Sequence, residues 1–102
     1  MDIDGGAERN GRHLFLETKE TGVPLKQGQE IFYKALAKKP GCTVFVIEGQ
    51  PQQPEFVQVM TEGRLSRRAP CDLDKLRKLV RHWYDTSDRG GHYHINDEDL
   101  DS

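Results

Sequence analysis

With 102 residues and a mass of 11.7 kDa, the chain has the length of one domain and can bury only a modest core. Its residues are 34% hydrophobic and 31% charged, and 15 Lys plus Arg against 17 Asp plus Glu leave a formal net charge of −2, so global charge makes no case for nucleic-acid binding. No run is long and apolar enough for a membrane span, Met1-Asp2-Ile3-Asp4 shows no signal peptide, and Cys42 and Cys71 lack a Cys-x-x-Cys spacing, which together lead to the expectation of a cytoplasmic protein with reduced thiols.

The first 19 residues read as two short extended runs around Arg9-Asn10-Gly11-Arg12. Asn-Gly between such runs is a strong hairpin signal, because both central positions of a type I′ turn need positive φ. Counting outward from that turn sets Arg9 opposite Arg12, Ala7 opposite Leu14, Asp4 opposite Glu17 and Asp2 opposite Lys19. Side chains two apart on a strand share a face, so Asp2, Asp4, Glu17 and Lys19 project to one side and Leu14 and Leu16 to the other. Carboxylates on directly opposed residues repel unless something positive lies between them. A divalent cation with oxygen ligands is the natural partner, although Asp-x-Asp and Glu-x-Lys also occur as solvated surface charges. A one-residue slip in register would move Asp4 to the opposite face.

Glu20–Pro24 reads as a loop, and Pro24 suits the opening of a helix running from about Leu25 to Lys38, with Ile31, Ala35 and Leu36 as its apolar stripe and Lys39-Pro40-Gly41 as its stop. Thr43–Ile47 is a continuous β-branched and aromatic run, expected as a strand buried on both faces. The Pro/Gln-rich stretch Gly49–Pro54 reads as a turn or loop, Phe56–Met60 as another strand, and Gly63–Pro70 as a basic loop. Asp72 or Asp74 can cap a last helix whose Leu76, Leu79, Val80 and Trp83 recur at helical spacing. The order β-β-α-β-β-α predicts a mixed α/β layer. Residues 1–86 are expected to form one domain and residues 87–102 an acidic, flexible tail.

Charge is segregated along the chain. Arg64, Arg67, Arg68, Lys75, Arg77, Lys78 and Arg81 outnumber Glu62, Asp72 and Asp74 between Glu62 and Arg81, whereas Arg89 alone offsets six acidic residues from Asp85 onward. The basic region suits either a phosphate-binding surface or a solvated helix face. Arg64, Arg67 and Arg68 are the first candidates for phosphate contacts, with Lys75 and Lys78 next. His92 and His94 form a His-x-His pair with no suitable third ligand nearby and read as part of the tail. Trp83 and Tyr84 are assigned to packing, and neither cysteine has a His partner that would make it a nucleophile.

Asp4, Asn10-Gly11, Glu17-Thr18-Lys19, Gln29-Glu30-Ile31-Phe32-Tyr33 and Thr43–Ile47 occur here in an order that resembles the PD-(D/E)XK nuclease superfamily, in particular its RecB-like and virus-type replication-repair (VRR-Nuc) branches. The pattern there is an acidic residue in one strand, a tight turn, Glu-x-Lys ending the next strand, a helix bearing Gln-x-x-x-Tyr, and a buried strand. The resemblance covers roughly the first half of the chain and implies a restriction-endonuclease-like core. The superfamily core normally begins with a helix, whereas this chain starts almost at the acidic strand; either that helix is dispensable, a neighbouring subunit replaces it, or the true start lies upstream. By this resemblance Asp4 and Glu17, helped by the backbone carbonyl of Thr18, hold Mg²⁺ or Mn²⁺, with Asp2 as the other candidate for the acidic position. Lys19 orients or deprotonates the attacking water and stabilises developing charge, or is only a salt-bridge partner. Gln29 and Tyr33 brace the site or touch the nucleic-acid backbone, or pack the helix against the sheet. The implied activity is hydrolysis of DNA phosphodiester bonds in phage or bacterial repair, recombination or junction processing, within the host cytoplasm if the chain is phage-encoded. Cutting two strands would require a homodimer. The competing expectation is a catalytically inactive nuclease-like domain that binds nucleic acid or a protein partner.

Overall fold

The computed structural model describes residues 5–50 and 52–101. Asn10 and Gly11 have φ of 56° and 80°, the left-handed pair a type I′ turn needs, and they join β1 (Gly5–Arg9) to β2 (Arg12–Lys19). The antiparallel register sets Arg9 opposite Arg12, Ala7 opposite Leu14 and Gly5 opposite Leu16, as counting from the turn requires. The pairings expected for Asp4 and Asp2 lie outside the described residues.

Helix α1 (Gln27–Ala37) follows, beginning two residues later than the sequence suggests. The Gln29 amide oxygen accepts the Lys26 N–H at 3.3 Å, which satisfies one of the donors a helix start leaves open. The helix is also rotated from the expected stripe. Ile31 is 61% exposed and Phe32 faces solvent in part, while Tyr33 and Ala37 are buried and Leu36 packs beside them. The inward face therefore reads Gln29, Tyr33, Leu36 and Ala37, a stripe with a polar end, because the sheet beneath it also carries a buried polar residue.

The chain then forms β3 (Cys42–Gln50), β4 (Gln53–Thr61), β5 (Arg64–Leu65), β6 (Ala69–Pro70), α2 (Leu73–Asp88) and α3 (Asp97–Asp101). Thr43–Glu48 is buried throughout, in keeping with its β-branched run. β3 and β4 extend further into the Pro/Gln-rich stretch than expected and leave a short connection. The basic loop contributes two short strands along the free edge of β4. The result is an α/β fold with a mixed six-stranded sheet, ordered β1-β2-β3-β4-β5 with β6 also on β4, and three helices among the described residues. β2 and β3 are parallel and the other pairs antiparallel. A parallel neighbour needs a crossover, and α1 supplies it.

Alternation along the strands divides the sheet into two faces. Val44, Val46 and Met60 meet Tyr33 and Ala37 of α1 on one face. On the other, Leu14, Phe45, Ile47, Val57 and Val59 meet Leu79 and Trp83 of α2. Asp72 caps α2, its Oδ1 accepting the Lys75 N–H at 2.8 Å.

The segment beyond α2, expected as a frayed tail, differs most from the sequence reading. Tyr93 and Leu100 are buried in the α2-side core and Ile95 packs against it. Asn96 and Asp99 cap α3 reciprocally, Asp99 N–H donating to Asn96 Oδ1 at 3.0 Å and Asn96 N–H to Asp99 Oδ2 at 3.3 Å. Three apolar side chains and a cap suffice to dock a short acidic segment whose charges remain at the surface.

Candidate functional site

Glu17 and Lys19 lie at the end of β2 on the α1 face, and the buried α1 stripe covers the first of them. The Glu17 side chain is 5% exposed. Its Oε2 accepts from the Tyr33 hydroxyl at 2.7 Å and its Oε1 from Gln29 Nε2 at 3.1 Å. Because the other end of the Gln29 amide accepts from Lys26 N–H, that amide is held with its N–H₂ toward the carboxylate. The four-residue spacing of Gln29 and Tyr33 thus becomes a two-point brace. Among the described residues no Lys, Arg or His pairs with Glu17 within 4.0 Å, so its two partners are neutral.

Lys19 is placed by different contacts. Its Nζ donates to the Val23 carbonyl, folding the loop after β2 back on itself, and stands 3.8 Å from Glu48 Oε1. Glu48 lies directly beside Lys19 in the parallel β2–β3 register, and Phe56 lies beside Glu48 on β4. Only 3% of Glu48 is exposed. Arg68 forks onto it, Nε to Oε2 at 2.6 Å and Nη2 to Oε1 at 3.0 Å, while Gly22 N–H donates to Oε1 at 3.0 Å. The Arg68 guanidinium lies over the Phe56 ring, 3.5 Å from its centroid, a cation–π contact that fixes the plane of the fork. Next to Glu48 the ladder is bulged. Gly49 there has φ of 121°, and a Cβ on it would meet the Gln53 carbonyl oxygen at 2.7 Å, so the bend that turns Glu48 toward Arg68 depends on glycine.

The Arg68 fork, with the Gly22 N–H and Lys19 assisting against the cost of burial, holds the Glu48 carboxyl at about 2, below the usual carboxylate range. A depressed carboxylate contributes stability that is complete above its ordinary pKa and disappears as pH falls through the folded value. Unfolding free energy should therefore drop between about pH 4.5 and pH 2, by about 2 kcal/mol once solvent screening of the half-exposed Arg68 is allowed for. Urea titrations across that range should show the drop in the wild-type protein and a flatter profile in Glu48→Gln.

The remaining expected site residues are distributed as follows. Asp2 and Asp4 lie outside the described residues. Thr18 alternates onto the α2 face by side chain, leaving its backbone carbonyl as the group of interest. Of the basic set, Arg68 alone reaches the Lys19–Glu48 cluster. Arg67 pairs with Asp97 at 3.5 Å and with Asp101. Lys75 donates to the Pro70 carbonyl at 2.8 Å and to that of Leu100. Arg64 and Lys78 are exposed. The docked acidic segment thus engages part of the basic region. Glu48 was missed in the sequence; its signal there is a carboxylate ending a run of five apolar or β-branched residues, where a buried strand rarely carries a charge without partners.

Chemically, the face offers a buried carboxylate braced by neutral donors, next to two cations that share a second carboxylate. Among the described residues no three His, Cys, Asp or Glu side chains converge to hold one metal ion, and no helix is long and apolar enough to cross a membrane. Glu17, with both oxygens oriented by neutral donors and, among the described residues, no ion-pair partner within 4.0 Å, has the donor chemistry a hard divalent ion takes. No protein-family model, characterised protein or solved structure matches the chain.

Proposed function

We propose that this chain is a metal-dependent nuclease of the PD-(D/E)XK kind that hydrolyses DNA phosphodiester bonds, with a restriction-endonuclease-like core and a role in phage or bacterial repair, recombination or junction processing. The observation that carries this reading is the buried Glu17 carboxylate, oriented by Gln29 and Tyr33 and followed two residues later on the same face by Lys19. Bound Mg²⁺ or Mn²⁺ would supply positive charge to the phosphate and lower the pKa of a nearby water. The residues that would hold it are Glu17 and the Thr18 backbone carbonyl, with Asp4 or Asp2, outside the described residues, as the second carboxylate.

The protein's own part follows from its geometry. Gln29 and Tyr33 keep both Glu17 oxygens in place, so the carboxylate does not reorient when a cation arrives. Lys19, restrained by Val23 and Glu48, offers a positive charge to the phosphoryl oxygens, where charge develops during attack, and a donor to orient the incoming water. A fixed charge near that position is worth more than a mobile one because it needs no reorganisation during the reaction.

Cleavage of a supercoiled plasmid and of labelled duplex and single-stranded oligonucleotides in Mg²⁺ and in Mn²⁺ tests the proposal. Lys19→Ala should cut at least about a hundredfold more slowly than wild type while unfolding as one cooperative transition. Cutting by Lys19→Ala at the wild-type rate would end the proposal. A second reading, a catalytically inactive domain that binds nucleic acid or a protein partner, draws on the engagement of Lys19 by Glu48. It requires that wild-type protein show no cutting and no thermal shift or calorimetric heat on Mg²⁺ titration.

A further inference from the structure

Glu48 has no place in the motifs that suggested a nuclease, yet it is the hub of the α1 face. Its Oε1 is shared by Arg68 Nη2, Gly22 N–H and Lys19 Nζ, and its Oε2 takes Arg68 Nε. We infer that Glu48 is a positioning residue that assembles Lys19 and Arg68 into a phosphate cradle beside Glu17, with the backbone of a nucleic-acid strand as its ligand.

Three observations carry the inference. First, the register is fixed by the sheet: Lys19, Glu48 and Phe56 are direct neighbours across β2, β3 and β4, so their side chains share a face without any help from loops. Second, Lys19 and Arg68 both face the single Glu48 carboxylate, so one side chain sets the position of two cations. Third, the arginine is oriented rather than merely neutralised. Phe56 beneath and the fork onto Glu48 set its plane while the side chain stays 43% exposed, so Nη1 is left outside the fork. A planar guanidinium held in this way presents donors in the geometry a phosphate accepts. The cradle rests on the nuclease reading for its placement beside a reacting phosphodiester, but binding of the strand stands independently of cutting.

Glu48→Gln provides the test, because it removes one negative charge while keeping the shape of the side chain and an acceptor oxygen. A charge effect acting only through space predicts tighter binding of an anionic strand. Positioning predicts the opposite. Affinity for a fluorescently labelled 20-nucleotide strand, measured in EDTA at low salt, is expected to weaken about tenfold in Glu48→Gln, the loss of about one charge-assisted contact. Arg68→Ala should weaken it to a similar extent, and adding Glu48→Gln to Arg68→Ala should cost less than it does alone, since the two act as a unit. Arg68 is half-exposed, so Arg68→Ala keeps the test open if Glu48→Gln fails to fold. The cradle is overturned if folded Glu48→Gln binds as tightly as wild type or tighter, if Arg68→Ala binds like wild type, or if the wild-type protein does not bind the strand. Loss of binding in these variants of a wild-type protein that never cuts would support the cradle and remove the nuclease reading. Cutting by wild type with unchanged binding in the variants would do the reverse.

Discussion

On the nuclease proposal, replacing Glu17 with alanine is expected to reduce phosphodiester cleavage by about a thousandfold or more, because a carboxylate of the proposed metal site would be lost and such metal-based stabilisation amounts to several kcal/mol. The substitution also removes the carboxylate that accepts from both Gln29 Nε2 and the Tyr33 hydroxyl, and losing a hydrogen bond to a charged group costs about 1.5–3 kcal/mol. Glu17→Gln separates the two effects. It retains an acceptor oxygen and the side-chain volume, so most of the stability should survive while cleavage does not. Added Mg²⁺ gives a readout that does not depend on turnover. An ion at a hundred times its Kd stabilises the folded state by about 2.7 kcal/mol, so the wild-type melting temperature should rise with Mg²⁺ and that of Glu17→Gln should not. Wild-type cleavage rates in both variants, or an unchanged Mg²⁺ response in Glu17→Gln, would remove the basis of the nuclease proposal.

Trp83→Ala should have the largest effect on stability. Trp83 is 1% exposed and belongs to the α2-side core with Phe45, Leu79, Tyr93 and Leu100. Truncating a buried tryptophan to alanine costs about 3–5 kcal/mol, the transfer loss plus the cavity left behind. A domain of this size has about 5–15 kcal/mol in total, so the urea midpoint should fall steeply while the m-value stays near that of wild type. The C-terminal segment docks into the same core, with Tyr93 against Phe45 and His82, and protection of Tyr93 and Leu100 amides from hydrogen exchange should fall in Trp83→Ala. Leu100→Ala should loosen that segment at lower cost, about 2–4 kcal/mol. If Trp83→Ala kept the wild-type midpoint, the assignment of this residue to the core centre would be wrong.

These two variants probe opposite faces of one sheet. β2 delivers Leu14 to the α2 side and Glu17 and Lys19 to the α1 side, so stability and proposed chemistry are segregated by strand alternation alone. The α1 side can afford buried carboxylates because each has partners: neutral donors for Glu17, a guanidinium and a backbone N–H for Glu48.

The hairpin register was legible because it depends on two adjacent residues. Asn10 and Gly11 tolerate positive φ at consecutive positions, and once they do, every pair along β1 and β2 follows by counting. The buried strand at Thr43–Ile47 and the α2 stripe of Leu76, Leu79, Val80 and Trp83 were legible for a similar reason, since periodicity and β-branching act within a short window. Tertiary structure alone decided which side of α1 faces inward. Ile31 looked like a core residue by hydrophobicity, yet Tyr33 took that place because the sheet presented Glu17 beneath the helix, and a carboxylate there needs hydroxyl and amide donors more than it needs a methyl surface. Glu48 escaped notice because its meaning lies in the parallel β2–β3 register and in Arg68, twenty residues away in sequence. The C-terminal segment was read as a tail from its acidity, although Tyr93, Ile95 and Leu100 needed only a groove on the α2 side to bury themselves. Chemistry that acts between near neighbours was written in this chain's residues. Partnerships across distant strands were settled only when the sheet closed, since a local window holds no information about which surfaces will meet.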